Sequence, residues 1–419
     1  MRVDQPAPAR SVNPAVEMTA HQKLAFWSAY LSYMFDCMDL NIFAVVLVPS
    51  IQALSQTADR NLIRHAGSIV LAVKLICLGI GGVVFGIAAD RFGRARILMA
   101  MIAIYAIFTG LSGLAQSWEQ LFSLQAAAAF GVGGEWAVGI ALIAEVLPDG
   151  KRDGAMGFVQ SALATGFLMA AIVNWLLGPY SWRLVLAFGF LPAVGVLIMR
   201  MPESQRWLSV RARIQKPVAE AFGPKLRRSA IVGVIIAAAM LTGSWSGFGL
   251  LPGLIRELAG QSADPAKITR AAFVLTAGGS MPGYLAVLWV SRFMGRRPLY
   301  FLCAFAGLLA SIYMFHGVKD LDALLQFAPI YGFFVMGGFA VLALCLPELF
   351  PTRVRATGQG FCFNVSQALA AVGPLALPYF GSAALDVPSH GVAVTLVAYG
   401  VGVVAIWFGP ETWRKPLAD

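Results

Sequence analysis

The segment EVLPDGKRDGAMGF at residues 145–158 returns 203 positions later as ELFPTRVRATGQGF at residues 348–361. The two segments share glutamate, proline, arginine, glycine and phenylalanine at corresponding places. Two shorter matches occur at offsets of 202 and 208: Gly93-Arg94 with Gly295-Arg296, and Pro202-Glu203-Ser204 with Pro410-Glu411-Thr412. Three matches at nearly one offset indicate that the chain consists of two similar halves.

The composition places both halves in a membrane. Of the 419 residues, 58% are hydrophobic and 12% are charged, and the mean hydropathy is +0.74. A soluble domain carries about a quarter charged residues, so this chain cannot cover a water-facing surface of its size. Its apolar runs are near 20 residues long, which is typical of helices and not of barrel strands. A soluble enzyme, a nucleic-acid-binding protein and a disordered chain are therefore excluded.

Twelve apolar runs are long enough to cross a bilayer. They cover residues 23–50, 66–89, 95–116, 119–147, 154–178, 183–200, 229–255, 270–291, 298–316, 324–347, 357–383 and 391–409. With the N-terminus in the cytoplasm, cytoplasmic segments hold 23 of the 31 Lys and Arg residues and outer segments hold seven. This asymmetry follows the positive-inside rule and accounts for the net charge of +10. It predicts a multi-pass protein of the inner (plasma) membrane, in contact with lipid, with both termini in the cytoplasm.

The repeat divides the chain at the basic loop after the sixth run. We expect a cytoplasmic tail (1–22), a first six-helix bundle (23–200), a basic linker (201–228), a second six-helix bundle (229–409) and a C-terminal cytoplasmic tail (410–419). Because six is even, both bundles have the same orientation and form parallel repeats. Two such bundles around a central cavity can rock and expose one site to either side in turn. The organisation therefore favours alternating-access transport.

Several short motifs resemble a known family. The loop GIAADRFGRAR at residues 86–96 carries the Gly, Asp-Arg and Gly-Arg pattern of the major facilitator superfamily of secondary transporters, which the chain resembles across all twelve runs. PESQRWL at 202–208 and PTRVRATG at 351–358 are similar to loops of its proton-coupled organic-acid and sugar branches. GGEW at 133–136 and DCMD at 36–39 look most like the proton symporters of metabolites, aromatic acids and sialic acid. The resemblance implies an all-α membrane fold with twelve helices in two parallel six-helix repeats, and rocker-switch transport.

The sequence departs from those branches at two places. Gln125 and Ala129 stand where an arginine and a glycine are usual, ten and six residues before Glu135. In those branches the arginine serves in coupling or anion binding. The second-half loop SRFM at 291–294 lacks the Asp-Arg pair expected there.

Four ionisable side chains lie well inside the predicted spans: Asp36, Asp39, Lys74 and Glu135. Each costs about 2.5–3.5 kcal/mol at the bilayer centre, so each needs a partner or a function. The helical rise puts Lys74 and Asp39 at similar depth, so we expect Lys74 to face Asp39 or Asp36. Two interpretations are open. The pair holds two helices together, or a substrate anion competes for Lys74 while an aspartate takes the proton.

Asp36 and Asp39 are three residues apart and share a helix face, so the two carboxylates cannot both stay ionised in a low dielectric. We expect Asp39 to carry the proton and Asp36 to modulate it, although the roles could be reversed. Glu135 is surrounded by glycines, which allow close helix packing. It is either a satisfied polar residue in that packing or a third group in proton coupling or gating.

The remaining candidates form two groups. Polar and aromatic residues at mid-span could bind substrate or pack between helices: Tyr33, Gln160, Trp245, Tyr331, Asn364 and Gln367. Residues at the helix ends match a network that, in the superfamily, closes the cytoplasmic side: Gly86, Asp90, Arg91, Gly93, Arg94 and Glu145, repeated by Arg296 and Glu348. Asp90 would suit the positive N-terminus of the eleventh helix near Thr357. The alternative is ordinary positive-inside charge.

These observations predict proton-coupled symport of a small organic anion, a carboxylate metabolite. The alternatives are a transporter for a sugar or another neutral solute, a drug–proton antiporter, and a transporter-like sensor. The fifth run lacks the glycine-proline pattern usual in the antiporters, and a sensor would need an output domain for which 419 residues leave no room. We expect no enzymatic activity, no cofactor, no metal and no nucleic-acid partner. One chain is expected to hold a complete pathway and to work as a monomer.

Overall fold

A computed structural model describes residues 17–55, 60–198, 201–213, 217–259, 265–380, 387–413 and 415. This part of the chain is helical and contains no strand. Ten of its helices are long and apolar enough to cross a membrane. Large apolar side chains such as Leu114, Trp175 and Val274 are at least 70% exposed on the outside of the bundle. Exposure of this kind is typical of a lipid-facing surface.

The described residues of the first half form eight helices. They are α1 (Ala20–Ser55), α2 (Arg60–Phe92), α3 (Arg94–Ser112), α4 (Trp118–Val132), α5 (Glu135–Val146), α6 (Asp149–Leu177), α7 (Trp182–Phe188) and α8 (Leu191–Ile198). The fourth predicted run is divided into α4 and α5 at Gly133-Gly134, and the sixth into α7 and α8 at Gly189-Phe190. The linker between the halves carries two short helices, α9 (Gln205–Val210) and α10 (Pro217–Ala221).

The second half repeats this order. It consists of α11 (Arg227–Ala259), α12 (Pro265–Val290), α13 (Arg296–Ile312), α14 (Leu321–Tyr331), α15 (Ala340–Glu348), α16 (Arg355–Phe380) and α17 (Val387–Ala405). A π-helix at Tyr313–Gly317 extends α13, and another at Gly332–Met336 follows α14. Short 3-10 turns at Thr352–Val354 and Ile406–Phe408 precede α16 and follow α17. The described residues of all twelve predicted runs therefore lie on helices or at the short breaks between them.

Within each half, helices pack tightly through glycines. A Cβ atom added at Gly133 would lie 1.9 Å from the Leu78 carbonyl oxygen of α2. A Cβ atom at Gly279 of α12 would lie 1.8 Å from the Pro329 carbonyl oxygen of α14. The second and fourth spans of both halves thus touch backbone to backbone, as in other membrane helix pairs rich in small residues.

The halves meet along α2 and α16 and along α6 and α12. At one end of this interface α2 ends, α3 and α16 begin, and α5 and α15 end. We call it the arginine end, because Arg94, Arg296 and Arg355 are buried there. The polar residues of interest lie at this end and in the middle of the bundle.

Candidate functional site

The first charge cluster consists of Asp90, Arg94, Glu145 and Arg355 at the arginine end. None of the four side chains has exposed surface. Glu145 Oε2 lies 3.1 Å from Arg94 Nε, and Glu145 Oε1 lies 3.0 Å from Arg355 Nη1. Arg94 Nη2 is also 2.8 Å from Asp90 Oδ1. Two positive and two negative charges balance, which offsets part of the desolvation cost of burying them.

Asp90 connects the first half to the start of α16. The backbone N–H groups of Ala356 and Thr357 donate to Asp90 Oδ1 at 3.2 Å and Oδ2 at 2.7 Å. A carboxylate in this position satisfies free N–H groups and the positive end of the helix dipole. Gly86 allows the approach, because a Cβ atom there would lie 2.9 Å from the Ala356 carbonyl oxygen. The predicted contact of Asp90 near Thr357 is present.

Arg94 is held in place by its backbone as well as its side chain. Gly93 has a φ of 113°, which suits glycine, and it forms the sharp turn between α2 and α3. Glu203 accepts hydrogen bonds from the backbone nitrogens of Arg94 at 3.0 Å and Ala95 at 3.2 Å. Arg94 Nη2 donates to the Thr352 carbonyl oxygen of the other half at 2.5 Å. The arginine is thus a contact between the halves.

The second charge cluster, Arg152, Arg296 and Glu348, repeats this geometry. Glu348 Oε1 lies 2.8 Å from Arg296 Nη2 in its own half and 3.6 Å from Arg152 Nη2 in the first half. Arg152 and Arg355 are 203 positions apart, as are Glu145 and Glu348. In both clusters, therefore, the glutamate that ends one span contacts an arginine of its own half and an arginine of the other half.

Glu411 takes the place in the second half that Glu203 takes in the first. It accepts hydrogen bonds from the backbone nitrogens of Arg296 at 2.9 Å and Arg297 at 3.1 Å. Partial burial raises the pKa of Glu411, but hydrogen bonds from four backbone N–H groups lower it, and the net pKa is below its usual value.

The charged helix ends of the first half and of the second half are not identical. Arg91, predicted as a member of the network, is exposed, and its guanidinium lies 5.6 Å from the Phe92 ring. Asp90 has no acidic counterpart, because Arg292 stands at the matching position. The helix opposite Arg292, α6, already begins at Asp149, so it offers no free N–H group at the residues that match Ala356 and Thr357. Sequence reasoning missed Arg152, Arg355, Glu203 and Glu411 as site residues, although their matching positions in the repeat were a signal.

The mid-membrane cluster consists of Asp36, Asp39, Lys74, Gln125 and Glu135. Lys74 Nζ donates to Gln125 Oε1 at 2.7 Å and lies 4.1 Å from the centre of the Phe43 ring. Within the described part of the chain, Lys74 forms no ion pair with Asp36 or Asp39, although both act on it electrostatically. The lysine and the aspartates therefore share one buried region without direct contact.

The three carboxyl groups of this cluster are buried, and five of their six oxygens lack a hydrogen-bond partner among the described residues. Asp36, Asp39 and Glu135 are 4%, 1% and 1% exposed. Both oxygens of Asp39 and of Glu135, and Oδ1 of Asp36, have no partner among the described residues. An ionised carboxylate in such surroundings costs several kcal/mol. The cluster is thus a place where protons and cations are favoured.

A cavity lies between the halves. It is lined by residues of α6, α11, α12 and the second π-helix: Leu163, Ala164, Phe167, Trp245, Thr276, Ala277, Ser280, Tyr284 and Met336. Tyr284 acts electrostatically on Tyr33 of α1, three residues from Asp36. The cavity surface is apolar, it includes the rings of Phe167, Trp245 and Tyr284, and it borders the region of the mid-membrane cluster.

Of the predicted substrate contacts, Trp245 is among the lining residues of this cavity. Gln160 accepts a hydrogen bond from Trp136 Nε1 at 2.9 Å, and Asn364 donates to the Gly360 carbonyl oxygen at 2.8 Å. Tyr331 is fully buried in a separate apolar cluster, Tyr33 is buried on α1, and Gln367 is half-buried on α16. The structure thus brings these residues to the bundle interior but not to a single surface.

An aromatic contact that the sequence did not suggest joins the halves beside the cavity. The rings of Trp136 on α5 and Phe363 on α16 are stacked, with centroids 3.9 Å apart and planes at 18°. Phe339 packs edge-on against Phe363, with the ring centroids 6.1 Å apart. The three rings belong to one buried apolar cluster that also contains Tyr284 of the cavity lining.

Comparison with known proteins identifies this architecture. Residues 29–374 match the Major Facilitator Superfamily. The chain belongs to this superfamily. It is 32% identical over 402 residues to a probable 4-methylmuconolactone transporter of Cupriavidus pinatubonensis, covering 93% of this chain and 91% of that one. It is 27% identical to the sialic acid transporter NanX of Escherichia coli, covering 95% and 94%.

A solved structure supports the fold. The proton:xylose symporter XylE, a member of the Major Facilitator Superfamily, superimposes with a TM-score of 0.75 at 18% identity, covering 95% of this chain and 98% of that one. The prediction of an all-α membrane fold with two parallel six-helix repeats is confirmed. As a member of the Major Facilitator Superfamily, the protein is a multi-pass inner-membrane transporter and not an enzyme.

Proposed function

We propose that this transporter is a proton-coupled symporter of a small organic anion. The observation that carries the proposal is the mid-membrane cluster, in which one lysine and three carboxyl groups are buried within a single half, and five of the six carboxyl oxygens lack a hydrogen-bond partner among the described residues. Intramembrane ionisable residues are expensive and typically mark ion or substrate pathways. Asp39 and Asp36, with Glu135, would exchange the proton, and Lys74 would attract the substrate anion.

The recognition of a carboxylate requires a cation together with polar donors and an apolar wall. Lys74 supplies the cation, and the aromatic cavity between the halves supplies the wall. Trp245 lines that wall, and the other predicted contacts, Tyr33, Gln160, Tyr331, Asn364 and Gln367, remain candidates for other conformations. The relatives that transport 4-methylmuconolactone and sialic acid support a small organic metabolite as the substrate class.

The arginine end would be the cytoplasmic end, with both termini on the same side. The excess of Lys and Arg in the segments at this end supports the orientation. The two charge clusters would form a cytoplasmic gate, because each contains contacts between the halves. Opening the cavity toward the cytoplasm requires these contacts to break.

A transporter for a neutral solute is the second candidate. The lining residues of the cavity carry no charged side chain. A sugar or another neutral molecule would bind there without using Lys74 once the halves move apart, because the cavity of about 20 Å³ has room for only about one water molecule in this conformation. Within the same fold, the two candidates differ in whether substrate and proton movement depend on the mid-membrane cluster.

The test is proton movement into proteoliposomes that contain the purified protein. Small carboxylates, sialic acid among them, would be compared with neutral sugars. Asp39→Asn and Lys74→Ala would be measured beside the wild type, with Glu119→Gln, an exposed carboxylate of α4, as the matched control. We expect proton flux with carboxylates only, lost in both variants and retained in the control.

The other outcomes separate the hypotheses. Flux that survives in both variants would reduce Asp39 and Lys74 to structural residues. Sugar uptake without proton movement would favour the neutral-solute transporter.

A further inference from the structure

Gln125 holds the ammonium group of Lys74 through a fixed hydrogen-bond chain. Its side chain is fully buried on α4. Gln125 Nε2 donates to Ser112 Oγ at 3.0 Å, and Ser112 Oγ donates to the Phe108 carbonyl oxygen at 2.8 Å. Because these contacts fix the orientation of the amide, its carbonyl oxygen faces Lys74. The reverse orientation would place an NH₂ group against the ammonium.

The contacts of Lys74 are with uncharged groups. Besides the Gln125 carbonyl it has the face of the Phe43 ring, 4.1 Å away, as a cation–π partner. Meanwhile, both oxygens of Asp39 are buried without a hydrogen-bond partner. A carboxylic acid that keeps its proton suits these surroundings, whereas an ionised one would need a cation. The structure is therefore consistent with a protonated Asp39 and a lysine held elsewhere.

We propose that Gln125 is a positioning residue that competes with Asp39 for Lys74 and so sets the proton affinity of Asp39. While Asp39 is protonated, Gln125 keeps the ammonium. When Asp39 releases its proton, the carboxylate attracts Lys74, and the hydrogen bond to Gln125 breaks. This inference rests on the proposed role of Asp39 as proton carrier, and it adds a residue of α4 to a coupling unit otherwise made by α1 and α2.

Other ionisable groups surround Lys74 and Asp39, and the replacement of residue 125 does not alter these groups. Asp36 acts on it from α1, Glu135 from α5 and Tyr105 from α3. Arg183 of α7 is engaged elsewhere, since its Nη1 donates to the carbonyl oxygens of Gly113 and Ala115. The described residues of α6 and α16 place no charged side chain at this depth. A shift caused by Gln125→Leu, which introduces no charge, can therefore be assigned to the lost hold on Lys74.

The experiment replaces Gln125 in two opposite ways. Gln125→Leu removes the acceptor, so Lys74 turns to Asp39 and stabilises its ionised form. Gln125→Glu holds Lys74 more firmly and adds a negative charge, so Asp39 keeps its proton to higher pH. We expect the midpoint of Asp39 deprotonation to move to lower pH in the first variant and to higher pH in the second, each by about one pH unit, a tenfold change in proton affinity.

The readout is infrared difference spectroscopy of the purified full-length protein during a pH titration without substrate. The carbonyl band of protonated Asp39 is identified by its loss in Asp39→Asn. Ser112→Ala, which frees the Gln125 amide to rotate, should shift the midpoint in the same direction as Gln125→Leu, by a smaller amount. The Ser112→Ala variant tests the same hypothesis if the leucine variant fails to fold.

Midpoints that stay at the wild-type pH, or that move in the same direction in the leucine and glutamate variants, would overturn the role of Gln125. Because no substrate is present, this result is separate from the proteoliposome screen. Opposite shifts without carboxylate-driven proton flux would leave the Gln125–Lys74–Asp39 linkage standing and refute only the symport proposal.

Discussion

Glu145 stands between two arginines that come from different halves of the protein. Its carboxylate contacts Arg94 and Arg355, and all three side chains are fully buried. Glu145→Gln removes the carboxylate that both guanidinium groups contact in a low dielectric, and only Arg94 keeps a second carboxylate of the cluster, Asp90, beside it. Removal of one partner from a buried ion pair costs about 3–5 kcal/mol. We therefore expect a large drop in the thermal unfolding temperature in detergent, measured beside the exposed control Glu119→Gln. An unfolding temperature equal to that of the wild type would contradict this assignment.

Glu411 acts as a cap for the start of α13, and its contribution should depend on pH. The pKa of Glu411 is lower in the folded protein than in the unfolded chain, where it is about 4.3. Its stabilising effect is therefore complete above pH 4.3, and it is lost as the pH falls through the pKa of the folded protein. Because the side chain is half-buried, we expect Glu411→Gln to cost about 1 kcal/mol or less at pH 7. Thermal unfolding at pH 7 and at pH 3 measures the difference. A cost that does not shrink in acid would show that the hydrogen bonds of Glu411 do not depend on its charge.

The contacts of individual residues could be predicted from the sequence only where the spacing of two residues along the chain determines whether they meet. The pairing of Arg296 with Glu348, and of Asp90 with the backbone near Thr357, followed from positions at helix ends, where the loop restricts direction. Side chains at mid-span are different. The rise per residue gives their depth, but each residue also turns by about 100° around the helix axis, and neighbouring helices decide which of them face a cavity. For this reason Lys74 is at the depth of the aspartates but contacts Gln125.

At the scale of helices, the close contact of α2 and the start of α5 depends on Gly133. A methyl group there would lie 1.9 Å from the Leu78 carbonyl oxygen, a backbone atom that cannot rotate away. We expect Gly133→Ala to separate the helices and to cost about 1–3 kcal/mol, as overpacking does in cores. Gly79→Ala, at the position after Leu78 on α2, meets no atom within 4 Å and is the matched control.

The measurement is the thermal unfolding temperature of the two variants in the same detergent. Alanine is a better helix former than glycine by about 0.8–1.0 kcal/mol, so the control should be neutral or slightly stabilised. Equal effects of the two substitutions would mean that helix propensity and not the close contact decides the stability at Gly133.

The interruptions of the helices were not predicted. Hydrophobic runs near 20 residues identify a span, but a break of one or two residues inside it leaves the average hydropathy unchanged. The fourth span is interrupted at Gly133-Gly134, and the tenth contains Pro329 followed by the π-helix Gly332–Met336. Proline and glycine mark these sites, because they weaken the regular hydrogen-bond ladder of a helix. Irregular turns inside a membrane helix require neighbouring helices to satisfy the backbone, and a single sequence does not show those neighbours.

For the whole molecule, the sequence was most informative about the two-half architecture. The two halves share not only matching residues but also the contacts that those residues make. Each match at an offset near 203 corresponds to an equivalent contact: Glu145 and Glu348 each bind two arginines, and Glu203 and Glu411 each cap a helix. The cavity between the halves has no such regularity, since its lining comes from α6 on one side and from α11, α12 and the second π-helix on the other. Lys74 and the three buried carboxyl groups are confined to the first half. This division indicates that the halves have diverged in the middle of the bundle and remained alike at its arginine end.

Asp90 should therefore control how firmly the arginine end is closed. Its carboxylate accepts hydrogen bonds from two backbone N–H groups of α16. Asp90→Asn replaces this charged acceptor by a neutral one. Hydrogen bonds to charged groups contribute about 1.5–3 kcal/mol, so the closed conformation should lose roughly tenfold or more in population relative to the open one. Spin labels at the exposed positions Arg96 and Arg292, one on each half, would report this as longer distances in pulsed electron paramagnetic resonance. Arg91→Gln, an exposed neighbour outside the cluster, should leave the distances unchanged. Equal distance distributions in wild type, Asp90→Asn and Arg91→Gln would mean that the two charge clusters keep this end closed without Asp90.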